Sequence, residues 1–144
     1  MAIDDSRFSE AAIRFLSEQA QPHENEVRVS HVVEPPLLLV NREMCGYDSD
    51  LLRIPQSQIE QAEALVGRVA ERLRCKSAKV TTCIVQGDPK SEILDETVRW
   101  VADLLVIGSH GRTSFARFFL GSVSDVVARH ARCSVEVVRS GPSY

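Results

Sequence analysis

The sequence predicts an α/β chain: a three-layer sandwich with a five-stranded, mostly parallel sheet and about four helices, in a single domain over residues 1–144. Three observations lead there. Short β-branched runs alternate with longer helical patterns, as the crossover units of a parallel sheet require. One run, Leu104 to Ile107, is apolar throughout, which suits a central strand covered on both faces. A length of 144 residues, with 44% apolar and 26% charged side chains, is that of one globular domain with one core.

The first helix spans residues 7 to 20, opened by Asp5 and Ser6 as capping residues, with Phe8, Ala12, Ile13 and Leu16 at helical spacing. Val27, Val29, His31, Val32 and Val33 form a strand that Pro35 and Pro36 stop. Residues 35 to 56 show no sustained period, the mark of a functional loop or a mobile segment. A second helix follows over residues 57 to 74, its stripe made by Ile59, Ala62, Leu65, Val66, Val69 and Leu73. Lys79 to Gln86 form the next strand, and Gly87-Asp88-Pro89 turns the chain into a third helix carrying Ile93, Leu94, Val98 and Val101. Leu104 to Ile107, a fourth helix with Val123, Val126, Val127 and Ala131, and a last strand from Ser134 to Val138 complete the set. Such a sheet must reverse its strand order somewhere, and ligands bind there, beyond the strand C-termini.

Composition narrows the function. A net charge of -3 argues against binding nucleic acid through its phosphates. Stretches such as Leu37 to Val40 fall far short of the about 20 apolar residues that cross a bilayer, and the N-terminus shows no secretory pattern. Cys45, Cys75, Cys83 and Cys133 lie too far apart for a zinc motif and read as reduced thiols of a cytoplasmic protein.

The chemistry concentrates in Gly108-Ser109-His110-Gly111, followed after nine residues by Gly121-Ser122. The segment leaves an apolar strand and enters a helix, so its backbone N–H groups face the crevice where strands end. Glycine lets a phosphate approach the backbone closely, and the helix N-terminus adds unpaired donors and a positive dipole end. Glycine at a strand-to-helix turn also has a purely steric reading, and the residues alone leave both open. His110 has no serine, cysteine or orienting carboxylate evident around it, so a loop role is favoured over general base catalysis. His23, His31 and His130 likewise read as structural or solvated.

The pattern G-x-x-G, nine residues, G-S resembles the nucleotide-binding signature of the ATP-binding branch of the universal stress protein family, as does the surrounding text VIGSHGRTSFARFFLGSVSDVVARHARCSVEVVR. Ala2-Ile3-Asp4-Asp5-Ser6, Ser30-His31-Val32-Val33-Glu34-Pro35 and Gly87-Asp88-Pro89 resemble the family's first-strand end, second-strand end and third turn. The resemblance implies a Rossmann-like, adenine nucleotide alpha-hydrolase-like fold. It also implies a nucleotide-binding set: Ala2, Ile3 and Asp4, the last at the ribose or phosphate edge unless it is simply a helix-capping carboxylate, and Val32 against adenine. Ile107, Gly108, His110 and Gly111 would line ribose and phosphates, and Gly121, Ser122 and Val123 would close the phosphate end. Arg112 and Arg117 flank the loop and either offset triphosphate charge or are simply solvated. Phe115, Phe118 and Phe119 suit a packed or dimer-facing patch.

One departure stands at the start: family members carry several more apolar residues ahead of the Asp4 position, whereas only Met1 to Ile3 precede it here, as a late start or a trimmed chain would explain. The implied function is an ATP-binding stress-response module gated by its nucleotide. The implied ligand is ATP, with AMP or another adenine nucleotide as alternatives and Mg²⁺ as a companion. It would work as a homodimer through the apolar edge strand 134–138, without nucleic-acid or membrane partners. The competing functions are a nucleotide-free dimerisation module of the same fold and a slow ATP-hydrolysing or nucleotidyl- or phosphoryl-transfer enzyme.

Overall fold

The computed structural model describes residues 1–19, 25–35, 54–75, 79–111 and 120–140. Its elements in chain order are α1 (Arg7–Gln19), β1 (Glu26–Val33), α2 (Gln56–Arg74), β2 (Lys79–Gln86), α3 (Pro89–Arg99), β3 (Leu104–Gly108), α4 (Ser122–His130) and β4 (Ser134–Val138). The aperiodic stretch, apart from its ends at Pro35 and Ile54 to Gln56, lies outside the described residues, as do Cys45 and His23.

β1 pairs with β2 in parallel, with Val29 opposite Thr82, and β3 pairs with β4 in parallel, with Ile107 opposite Val137. The expected fifth strand is reduced to a seam. Ala2 makes parallel bridges to Ser30 on one side and Ile107 on the other. Its N–H donates to Val106 O at 3.1 Å, and the Ile3 N–H donates to Ser30 O at 2.9 Å. Ser30 N–H returns a bond to Met1 O at 2.9 Å, and the Met1 amine donates to Arg28 O at 2.6 Å. The lateral order is therefore β2, β1, residues 1–3, β3, β4, with β1 and β3 on opposite sides of the seam.

The pleat sorts side chains onto two faces. Met1, Ile3, Val27, Val29 and Val106 pack with Ala12 and Ile13 of α1 and Val66, Val69 and Leu73 of α2. Ala2, Leu105 and Ile107 pack on the other face with Ile93 of α3 and Val127 of α4. Among the described residues, two helices thus cover each face. Ser6 caps α1 by accepting the Ser9 N–H at 3.2 Å. Asp88 caps α3 by accepting from Ser91 N–H, with Pro89 in the first turn where no amide is needed. Gly87 ahead of it has φ of 151°, a region open to glycine.

Two expectations need correction. Val98 and Val101 do not belong to the apolar stripe of α3: Val98 is 50% exposed, and Val101, beyond the last helical residue Arg99, is 82% exposed. Leu104 is 46% exposed at the mouth of β3, so burial on both faces begins only at Leu105. The free thiols Cys75, Cys83 and Cys133 form no pair, and burial followed by the nearby Glu96 pushes the Cys83 thiol up from its usual range.

Candidate functional site

Reversal of strand order at residues 1–3 leaves a gap above the seam, between the C-terminal ends of β1 and β3. A cavity of about 180 Å³ sits there. Ala2, Ile3, Asp4, Val32, Ile107, Gly108, His110, Gly111, Gly121, Ser122 and Val123, the expected site residues, all border it. Arg112 lies outside the described residues, together with Phe115, Arg117, Phe118 and Phe119.

The two glycine turns are latched to each other. Ser109 N–H donates to Val138 O at 2.8 Å, which ties the loop leaving β3 to the end of β4. Ser109 O then accepts from Gly121 N–H at 2.8 Å and from Ser124 Oγ at 2.7 Å. This brings the start of α4 to the cavity. No side chain among the described residues caps that helix at Gly121, and Gly121 and the exposed Ser122 border the cavity, so the positive end of the helix dipole lies at its edge.

The glycines serve by closeness rather than by left-handed backbone. Gly121 has φ of -63°, and among the described glycines only Gly87 has a positive φ. A Cβ on Gly108 would stand 2.7 Å from the Phe8 carbonyl carbon, so this glycine lets α1 lie against β3. A Cβ on Gly121 would stand 3.1 Å from His110 Cα, inside the latch. Gly111 is different: it is exposed, and among the described residues a Cβ there would meet only Asp4 Oδ2, at 3.1 Å. Of the three, Gly111 is the cradle that a side chain would fill.

His110 corrects another expectation, because it does have a serine partner: its Nδ1 lies 3.0 Å from Ser109 Oγ. Ser109 is only 1% exposed, however, and does not border the cavity, so its hydroxyl is packed away from a substrate while His110 borders the space. The ring rests on Phe8 with centroids 4.8 Å apart, and its buried Nε2 has no hydrogen-bond partner among the described residues. His31 also has a partner. Its Nδ1 lies 2.8 Å from Ile3 O, and since a carbonyl only accepts, Nδ1 carries the hydrogen. His130 holds Val126 O in the same manner at 2.8 Å.

Asp4 stands at the lip. Its Oδ1 accepts from Ser9 Oγ at 2.7 Å and from Ser6 N–H at 3.0 Å. Sequence reasoning missed Ser9, Ser30, His31, Glu34, Pro89, Ile93 and Ser124, which also border the cavity. Ser9 had a faint signal, three residues after the capping Ser6. The others arrive by folding. The arrangement can hold an anion at the start of α4 and a flat apolar group among Val32, Ile93, Ile107 and Val123, with hydroxyl-binding groups between. Those residue types fit a nucleotide.

The universal stress protein family model matches residues 1–139. A universal stress protein of Thermus aquaticus is 30% identical over 147 residues, covering 96% of each chain. One from Methanocaldococcus jannaschii is 32% identical over 80 residues, which span 56% of this chain and 47% of that relative. Among solved structures, hypothetical protein MJ0577 superposes with a TM-score of 0.79 at 25% identity, covering 99% of this chain and 94% of that one. The Archaeoglobus fulgidus universal stress protein in complex with dAMP gives 0.62 at 24% identity over 95% and 93% of the two chains. The AMP-bound family protein of Arabidopsis thaliana gives 0.61 at 17% over 97% and 89%. With a match that runs from the seam through β4, the chain belongs to the universal stress protein family.

Proposed function

We propose that the chain binds an adenine nucleotide above the seam and acts as a nucleotide-gated signalling module in the stress response. One observation carries the reading: Asp4, Val32, the Gly108–Gly111 turn and the start of α4, far apart in sequence, border one cavity at the strand C-termini. Adenine lies against Val32 and Ile107, ribose reaches Asp4, and phosphates lie over Gly111 toward Ser122. The dAMP and AMP complexes of two structural relatives support an adenine ligand. ATP is the first candidate here, with AMP or another adenine nucleotide next. Mg²⁺ would accompany a triphosphate with few protein ligands, neutralising phosphate charge while keeping much of its own water.

The nucleotide-free dimerisation module is the second reading, and cavity size favours it: about 180 Å³ is below the ~300–1,000 Å³ of ordinary ligand pockets. Exposed Gly111 and Ser122 answer this, because phosphates held there lie outside the enclosed space. β4 pairs only with β3 among the described residues, and its free edge supports antiparallel pairing with a second copy in the cytoplasm. Release of bound small molecules from the denatured purified protein, read by mass spectrometry, tests the first reading. An adenine nucleotide at near one per chain is expected. Its absence, together with no heat on titration of ATP, moves the dimerisation module ahead, and sedimentation at micromolar concentration then decides between dimer and monomer.

A further inference from the structure

We propose that Ser9 is a positioning residue that commits Asp4 to one task, accepting a hydrogen bond from a sugar hydroxyl. The inference rests on the adenine-nucleotide reading above and deepens it. Ser9 sits in the first turn of α1, 4% exposed. Its hydroxyl donates to Asp4 Oδ1 at 2.7 Å and accepts the Asp4 N–H at 2.9 Å. One small side chain thus clips both the backbone and the carboxylate of the same residue. Ser6 N–H adds a second donor to Oδ1 at 3.0 Å.

With Oδ1 engaged twice, the carboxylate cannot rotate freely, and Oδ2 has no hydrogen-bond partner among the described residues. It lies beside Gly111, where a Cβ would stand 3.1 Å from it. Asp4 and Gly111 border the cavity together. A carboxylate oxygen offers only lone pairs. A phosphate oxygen offers the same and is repelled, whereas a hydroxyl donates. Of the two ligand edges that could meet Asp4, ribose or phosphate, the chemistry therefore selects ribose. Without the Ser9 hydroxyl only the Ser6 N–H steers the carboxylate, and the aim of Oδ2 is lost.

The experiment is calorimetric titration of the full chain with ATP and with 2′,3′-dideoxy-ATP, for the parent, Ser9→Ala, Ser9→Thr and Asp4→Asn. The parent is expected to bind ATP more tightly than the dideoxy analogue by about tenfold or more, the worth of one hydrogen bond to a charged group. Ser9→Ala should lose most of that difference by weakening ATP alone, and Ser9→Thr, which keeps a hydroxyl, should retain it. Asp4→Asn leaves the shape of the side chain intact and should also erase the difference, which provides a second reading if Ser9→Ala folds poorly. Equal weakening toward both ligands in Ser9→Ala would assign Ser9 a merely structural role and overturn the proposal. So would a parent that binds both ligands equally. A parent that binds neither overturns the nucleotide reading itself, and this inference with it.

Discussion

Gly111 and Gly121 share a residue type for different physical reasons, and the difference is testable. Among the described residues, a side chain on Gly111 intrudes only on Asp4 Oδ2, at the cavity's edge, while one on Gly121 meets the His110 backbone. Gly111→Val is therefore expected to fold as the parent does and to lose ATP binding by more than about tenfold, through filling the cradle and displacing the carboxylate. Gly121→Val is expected to lose about 1–3 kcal/mol of stability as well, the usual cost of forcing atoms into a packed place. Calorimetry with ATP and urea unfolding separate the two. ATP binding unchanged in Gly111→Val removes the site, and unchanged stability in Gly121→Val removes the latch. At this scale the sequence announced the glycines by their spacing but not the reason for them. Nor did it show that Ser109, Ser124 and Ser9 would converge, since no spacing rule links Ser109 O to Ser124 Oγ across fifteen residues.

Among the elements, α3 shows both what a sequence displays and what it hides. Asp88 and Pro89 mark its start because cap and first-turn chemistry are local. Its end is not marked: the apolar period runs on to Val101, past the last helical residue Arg99. Val101 occupies the left-handed position after the helix, with φ of 53°. Its N–H donates to Val98 O at 3.1 Å, and the following Ala102 N–H donates to Thr97 O at 2.9 Å, the closing pattern that glycine ordinarily occupies. A β-branched side chain there costs about 1–2 kcal/mol, and at 82% exposure it gains little packing in return. Val101→Gly is expected to stabilise the fold by about 1 kcal/mol, after allowing for the extra freedom glycine gives the unfolded chain. A denaturation midpoint that stays put or falls would contradict this. The strands were easier to read: β4 runs over the residues that its valines suggested, because a short β-branched run between turns has few other uses.

On the scale of the whole molecule, alternation of strand and helix was enough to give the layers, but the thinness of the central strand becomes physical only in three dimensions. In a chain whose first residue is Met1, the amine is buried, and burial lowers its pKa from 8.0 to about 5. The unfolded chain holds this proton below pH 8 and the folded chain releases it down to about pH 5, so stability should fall as pH drops through that window. The full loss is about 4 kcal/mol at most. Urea midpoints compared between the chain and an N-acetylated form should diverge from pH 8 toward pH 5, and parallel curves would refute the effect. The seam has a wider consequence. Three residues are the bridge between two banks, β2–β1 and β3–β4, and the cavity lies directly over that bridge. A nucleotide touching Val32 on one bank and the glycine turns on the other is then a second fastening, so its affinity and the resistance of the two banks to parting are one free energy measured in two ways.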